Sequence, residues 1–188
     1  MKTLWKFIRP IYYSLIRFCG RVFYDSNYFN EKYFSKYGTG WVWIAKNLPF
    51  KVLFRINQEI PWPVHHTVSI NNWKNISFNI EDLHIFQTGG TYFQAQDAKI
   101  IIGKGAQIAP NVGIITTNHD INNPALHVKG KDVIIGQNCW IGMNSVVLPG
   151  VQLGDNTVVA AGAVVSKSFP EGYCVIGGTP AKILKKLN

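Results

Sequence analysis

Thr117, Asn118, His119 and Asp120 place an imidazole between a side-chain amide and a carboxylate, and a second histidine follows at His127. A neutral imidazole takes a proton from an alcohol near neutral pH, a task that contributes about 10²- to 10⁴-fold in rate when a hydroxyl must become a nucleophile. The same residues argue against zinc chemistry, because His119 and His127 have no third histidine close by to complete a ligand set. Cys19, Cys139 and Cys174 show neither metal-type nor disulfide-type pairing and fit a reducing compartment. A lone loop histidine is as a rule solvated. What sets His119 apart is the framework that presents it.

That framework is legible as a period. Ile135, Ile141, Val147, Leu153, Val159 and Val165 stand six residues apart, and Ile102, Ile108 and Ile114 repeat the spacing earlier. A helix needs a period near 3.6 and a flat strand a period of 2, whereas six residues fit a short strand plus a tight corner. The aliphatic residue of each unit points inward, and the small residue four places on (Ala106, Cys139, Ser145, Thr157, Ala163) fits the crowded corner. Gly103, Gly136, Gly142 and Gly154 relieve backbone crowding. Three units make one triangular coil, and coils stack about 4.8 Å apart through parallel backbone hydrogen bonds. The spacing therefore predicts an all-β solenoid, a parallel β-helix. From Ile114 to Ile135 the interval is not a multiple of six, so the chain must leave the coil over 116–132. His119 and His127 lie in this excursion, where a solenoid exposes function.

Ile135-Gly136-Gln137-Asn138-Cys139-Trp140-Ile141-Gly142, the step Val147-Leu148-Pro149-Gly150, the run Ala161-Gly162-Ala163-Val164-Val165 and the closing Gly178-Thr179-Pro180-Ala181-Lys182 resemble the hexapeptide-repeat acyltransferases, over roughly residues 92 to 188. Asn118-His119-Asp120 ahead of an irregular loop and Cys139-Trp140-Ile141-Gly142 is similar to the sugar O-acetyltransferase branch, which includes maltose, galactoside and nodulation-factor enzymes and several of capsule and exopolysaccharide synthesis. The resemblance implies a left-handed winding and a homotrimer with its clefts between adjacent solenoids. It also implies acetyl-CoA as cosubstrate and no metal. His119 becomes the general base, with Asn118, Asp120 or a backbone carbonyl orienting its ring. It places an oxyanion-holding N–H near Gly142 or Met143 and Trp140 beside the acyl chain or acceptor. The pantetheine arm then follows Ala161 and Gly162, then Ser166 and Lys167, with Lys167, Lys182 and Lys185 meeting phosphates. Gln94 stands where relatives often carry an asparagine that contacts the acceptor, and His84, Gln94 and Asp97 are the acceptor-binding candidates. Cys139 occupies a small-residue corner with no base beside it in sequence, and reads as filler.

The formal net charge is +9, yet the basic residues form no zinc-finger or RNA-binding signature, so nucleic acid is not the expected partner. Positive charge also suits phosphates or an anionic membrane. Residues 1–24 hold Lys2, Lys6, Arg9, Arg17 and Arg21 among apolar residues, with no acid before Asp25 and Pro10 as a kink or boundary. The stretch is too charged to span a bilayer and suits either packing on the protein itself or peripheral membrane contact. The expected organisation is a helical, aromatic-rich extension over 1–63, a β-helix over 64–180 and a short C-terminal helix over 181–188. The expected function is acetyl transfer from acetyl-CoA to a sugar hydroxyl in bacterial surface polysaccharide biosynthesis, on a sugar or lipid-linked oligosaccharide. The expected location is the cytoplasm, at the inner face of the membrane. A sugar N-acetyltransferase of the same fold and a non-catalytic membrane- or polymer-binding scaffold are the alternatives.

Overall fold

The computed structural model describes residues 2–187. Met1, Asn188 and the side chains of residues 2–5, which include Lys2 from the basic N-terminal stretch, lie outside the described residues. The chain divides into two compact units, Met1–His66 and Thr67–Asn188.

In the second unit the chain visits three parallel sheets in rotation. The first face stacks Ser69–Ile70, Tyr92–Gln94, Gly113–Ile115, Val146–Val147 and Val164–Val165. Ile76–Ser77, Ile100–Ile102, Val133–Ile135 and Gln152–Leu153 make the second, while Gln107–Ile108, Trp140–Ile141, Thr157–Val159 and Cys174–Gly178 make the third. Register brings like over like: Ile102 pairs with Ile135, Ile108 with Ile141, and Ile114 with Val147. All nine aliphatic residues of the period are buried. The core is thus a set of aliphatic columns, and burying each such side chain contributes about 1.5–3 kcal/mol.

Two local rules shape the corners. The third residue after seven of the nine inward aliphatics has positive φ, and at those seven corners it is glycine or asparagine: Gly105, Asn111, Asn138, Asn144, Gly150, Asn156 and Gly162. Left-handed backbone brings Cβ against the following carbonyl, a cost that glycine avoids and asparagine offsets through local hydrogen bonding. The glycine after the inward residue answers a different need. A Cβ on Gly136 would lie 2.6 Å from the Asp155 nitrogen, and one on Gly154 would lie 2.2 Å from the Pro170 oxygen, so the next coil's backbone occupies that space.

The first coil uses a 3-10 segment, Ile80–Gln87, in place of a third strand. Its buried Asp82 accepts the Gly105 N–H at 2.7 Å and ties it to the coil above. At the other end the expected C-terminal helix is corrected. Ala181–Lys186 is a strand that turns back antiparallel on Cys174–Gly178. Cys174–Gly178 would otherwise present an open row of backbone donors and acceptors, and pairing them outweighs the helical propensity of a segment too short to hold a helix alone.

The first unit is helical: α1 spans Lys2–Phe23, α2 Glu31–Phe34 and α3 Thr39–Leu53. Pro10 lies inside α1 and does not end it. Tyr13, Tyr24, Trp41 and Ile44 form its core, packed by Ile16, Phe29, Phe34 and Leu48. Lys51 is buried, and its ammonium donates to the carbonyls of Asn57, Gln58 and Ile60 at 3.0, 2.7 and 2.9 Å. Burial pushes its pKa down to about 8, while the three carbonyls favour the charged form. Among the described residues no helix is long and apolar enough to cross a membrane.

Candidate active site

The excursion begins where Gly113–Ile115 reaches the corner between the first and second faces. A chain leaving a sheet strands its backbone donors, and here buried Gln94 collects them. Its Oε1 accepts the N–H groups of Thr116 and Thr117 at 2.9 and 3.0 Å, and its Nε2 donates to the Thr117 carbonyl at 3.2 Å. Asp97 ties the outgoing limb to the returning one, accepting the Thr117 hydroxyl and the Gly130 N–H. Lys131 N–H closes the base by donating to the Thr116 carbonyl at 2.8 Å. The Thr117 hydroxyl first, then the Gly130 N–H, hold the Asp97 carboxyl below the usual carboxylate range.

Above this base the two limbs pair briefly antiparallel. Asp120 N–H donates to Leu126 carbonyl at 2.9 Å and Val128 N–H to Asn118 carbonyl at 3.0 Å, which sets His119 opposite His127. The two imidazoles lie with centroids 4.2 Å apart, tilted by 36°. His119 Nδ1 lies 2.6 Å from the Pro124 carbonyl oxygen. A carbonyl only accepts, so Nδ1 carries the hydrogen and, in the neutral ring, Nε2 holds an unshared pair. His119 is exposed, and Nε2 is the atom able to receive a proton.

Several of the expected residues have other partners. The Asp120 carboxylate accepts the Asn122 and Asn123 N–H groups at 2.7 and 3.1 Å and shapes the turn, while the carbonyl beside the ring is that of Pro124. Asn118 acts through its main-chain carbonyl. Gln94 and Asp97 both hold the loop base. His84 sits apart, with Nε2 3.0 Å from Gln107 Oε1 beside the third face. The backbone carbonyl left open in the sequence as a ring partner is that of Pro124, and His127 as a ring neighbour was not foreseen.

The expected cofactor residues divide. Trp140 is exposed on the third face. The Gly142 N–H donates to the Val159 carbonyl at 2.9 Å and is therefore spent within the ladder. Met143, by contrast, presents an N–H that pairs with no acceptor among the described residues. Its carbonyl accepts the Gly162 N–H at 2.8 Å, and a Cβ on Gly162 would meet nothing within 4 Å. Trp140, Met143, Ala161 and Gly162 thus form one exposed strip running to the corner between the third and first faces. Ser166 and Lys167 lie beyond the first-face strand at a different corner, with the Lys167 ammonium 5.6 Å from the Phe169 ring centroid. Lys182 and Lys185 are exposed on the final strand, paired with Gly177 and Val175. One chain therefore holds His119 and the Met143 strip at separate corners. Cys139 is buried, its thiol donates to the Gly154 carbonyl at 3.2 Å, and burial first of all pushes its pKa up, which makes it inert. Among the described residues no group of three or more His, Cys, Asp or Glu side chains could hold a metal.

The Asp97 bonds carry a prediction. A carboxyl whose folded pKa is depressed contributes stability that is present above its unfolded pKa, about 3.9, and lost as pH falls through the lower folded value. Asp97→Asn is expected to speed proteolytic cleavage within 116–132 at neutral pH, with the acid-induced rise in wild-type cleavage largely absent from the variant. Equal cleavage of the two proteins at neutral pH counts against the clamp.

Residues 132–167 match the family described as bacterial transferase hexapeptide (six repeats). The galactoside O-acetyltransferase of Lactococcus lactis subsp. lactis is 38% identical over 96 residues, 49% of this chain and 45% of that one. WcaF of Escherichia coli K12, a candidate colanic acid biosynthesis acetyltransferase, is 28% identical over 143 residues, 76% of this chain and 68% of its own. Among solved structures, the maltose O-acetyltransferase of Clostridium difficile 630 is 38% identical with a TM-score of 0.48, covering 52% of this chain and 53% of that one. The chain spans about half the length of the first curated relatives it matches.

Proposed function

We infer the function from one premise: residues 132–167 match the bacterial transferase hexapeptide family, and the curated relatives of the chain include galactoside O-acetyltransferases. From that premise the protein is an acetyl-CoA-dependent O-acetyltransferase acting on a sugar hydroxyl. Its coil is a left-handed β-helix, and its role is in bacterial surface polysaccharide biosynthesis. The observation that carries the reading is the His119 Nδ1 contact with the Pro124 carbonyl, which leaves Nε2 as the proton acceptor in an exposed loop.

His119 Nε2 takes the hydroxyl proton as the sugar oxygen attacks the thioester carbonyl carbon of acetyl-CoA. The tetrahedral oxyanion is held by the Met143 N–H, a donor worth about 3 kcal/mol at a transition state. Collapse breaks the carbon–sulfur bond, the imidazolium returns its proton to the departing thiolate, and ester and CoA leave with no acyl-enzyme formed. The pantetheine arm follows Ala161 and Gly162 on the same strip, and Lys182 and Lys185 on the last strand meet phosphate as point charges. Since one chain separates His119 from that strip, the working site forms between copies in a homotrimer. A lipid-linked acceptor and a place at the inner face of the membrane complete the reading.

Calorimetry on the purified protein tests it: acetyl-CoA is expected to bind at one site per chain, after which candidate nucleotide sugars and oligosaccharides identify the acceptor by acetyl transfer. A folded oligomer that binds no acetyl-CoA sinks the proposal.

A further inference from the structure

The positive charge is unevenly held. Residues 1–66 carry ten of the nineteen Lys and Arg residues but three of the ten acids, and no acid precedes Asp25. In the same unit α1 is apolar on two opposite sides. Tyr13, Gly20 and Tyr24 face the core of the unit. On the other side Phe7, Ile11, Leu15, Phe18 and Val22, spaced by three and four, stand in solvent, with Phe7 72% and Phe18 69% exposed. One face of the helix packs on the core of the unit, and the second is exposed among the described residues.

The end of α3 extends this surface. Leu53 is 74% exposed and Phe54 66%, and Arg55 follows them. Phe23 of α1 and Val52 and Leu53 of α3 line one apolar groove of about 370 Å³ together with Ile16 and Leu48. The rim is basic: Arg21 and Arg55 are exposed, and Arg55 lies beside Val22, Phe23 and Val52. Arg9 and Arg17 are used internally instead. The Arg9 guanidinium lies 3.9 Å from the Tyr37 ring centroid, and Arg17 donates to the Lys36 carbonyl.

We propose that the α1 stripe, met at its C-terminal end by the exit of α3 where Val22 adjoins Val52 and Arg55, forms a docking surface for an anionic phospholipid bilayer, with α1 lying in the interface. The stripe from Phe7 to Val22 is about 22 Å long at 1.5 Å per residue, the proportions of a helix lying flat on lipid. Charge decides between lipid and a second copy. Two such faces brought together would oppose one strongly basic unit to another, whereas anionic headgroups complement the rim, each basic residue contributing about fivefold to binding. The inference deepens the membrane-proximal part of the proposed function and does not rest on acetyl transfer.

Cosedimentation of the full chain with vesicles tests the surface. The wild type is expected to pellet with phosphatidylglycerol-rich vesicles and to remain in solution with pure phosphatidylcholine. Leu53→Ser with Phe54→Ser removes two apolar anchors and is expected to weaken binding at least about tenfold. Arg21→Glu with Arg55→Glu is expected to weaken it about thirtyfold or more, with much of the salt dependence gone. Both pairs are exposed, and both variants are expected to keep acetyl transfer to a soluble acceptor, so a failure of docking and a failure of the acetyltransferase reading are separately visible. A folded wild type that does not pellet with anionic vesicles overturns the proposal. So does a fall in the assembly mass of the Leu53→Ser/Phe54→Ser variant without lipid, which would assign the face to contact between copies.

Discussion

His119→Ala is expected to lower kcat for acetyl transfer by about 10²- to 10⁴-fold, with acetyl-CoA affinity and oligomeric mass as in the wild type. The expectation of an intact fold is structural. The His119 side chain is exposed, and the excursion closes through bonds made by Gln94, Asp97, Asp120 and Lys131. His119→Gln keeps a polar side chain of similar reach but no basicity near neutral pH, and should share the loss. The measurement is single-turnover transfer from saturating acetyl-CoA, so that chemistry rather than binding is observed. A rate unchanged in both variants would remove His119 from the mechanism.

Mixing two inactive proteins is expected to restore activity. His119→Ala keeps the Met143 strip but lacks the base. Ala161→Trp keeps the base but covers the strip with a large side chain beside Gly162. If each working site takes His119 from one copy and the strip from the next, random reassembly of equal amounts gives one site in four with both parts intact, or about a quarter of wild-type activity. If a single copy supplies both parts, every site in the mixture is defective and activity stays at the sum of the two variants. The effect rests on the separation of the two corners around the coil and is absent from any arrangement in which one chain is self-sufficient.

The aliphatic columns were open to reading because a six-residue period is a local signal that packing then has to honour. Another signal of equal regularity was in plain view. From Gly105 to Gly162 the third residue after each inward aliphatic is glycine or asparagine except after Ile114, where the chain leaves the coil, because those residues tolerate the left-handed corner best. The last segment misled for the opposite reason. Ala181 to Leu187 has the composition of a short basic helix, and only the open edge of Cys174–Gly178, distant information for a local pattern, makes it a strand. The site divides in the same way. The break in register pointed to 116–132, but the His119 partner is a main-chain carbonyl whose position depends on how the loop closes. Gln94 and Asp97 look in sequence like groups for a sugar, and only the structure adds that the chain leaving its sheet bonds to both. Gly142 and Met143 were indistinguishable in sequence, since which N–H is spent depends on the Val159 carbonyl of the next coil.

The excursion leaves and rejoins the coil at nearly one point, Thr116 bonding to Lys131, while Ile102 still stacks on Ile135 as though nothing intervened. The scaffold therefore does not register how long the detour is. Doubling a loop costs about 0.6 kcal/mol in closure entropy, little against the columns that hold the coils. The segment bearing the histidine is in effect a cassette. It can be lengthened, shortened or exchanged while the coils on either side stay fixed, so a single coil can carry a series of different loops.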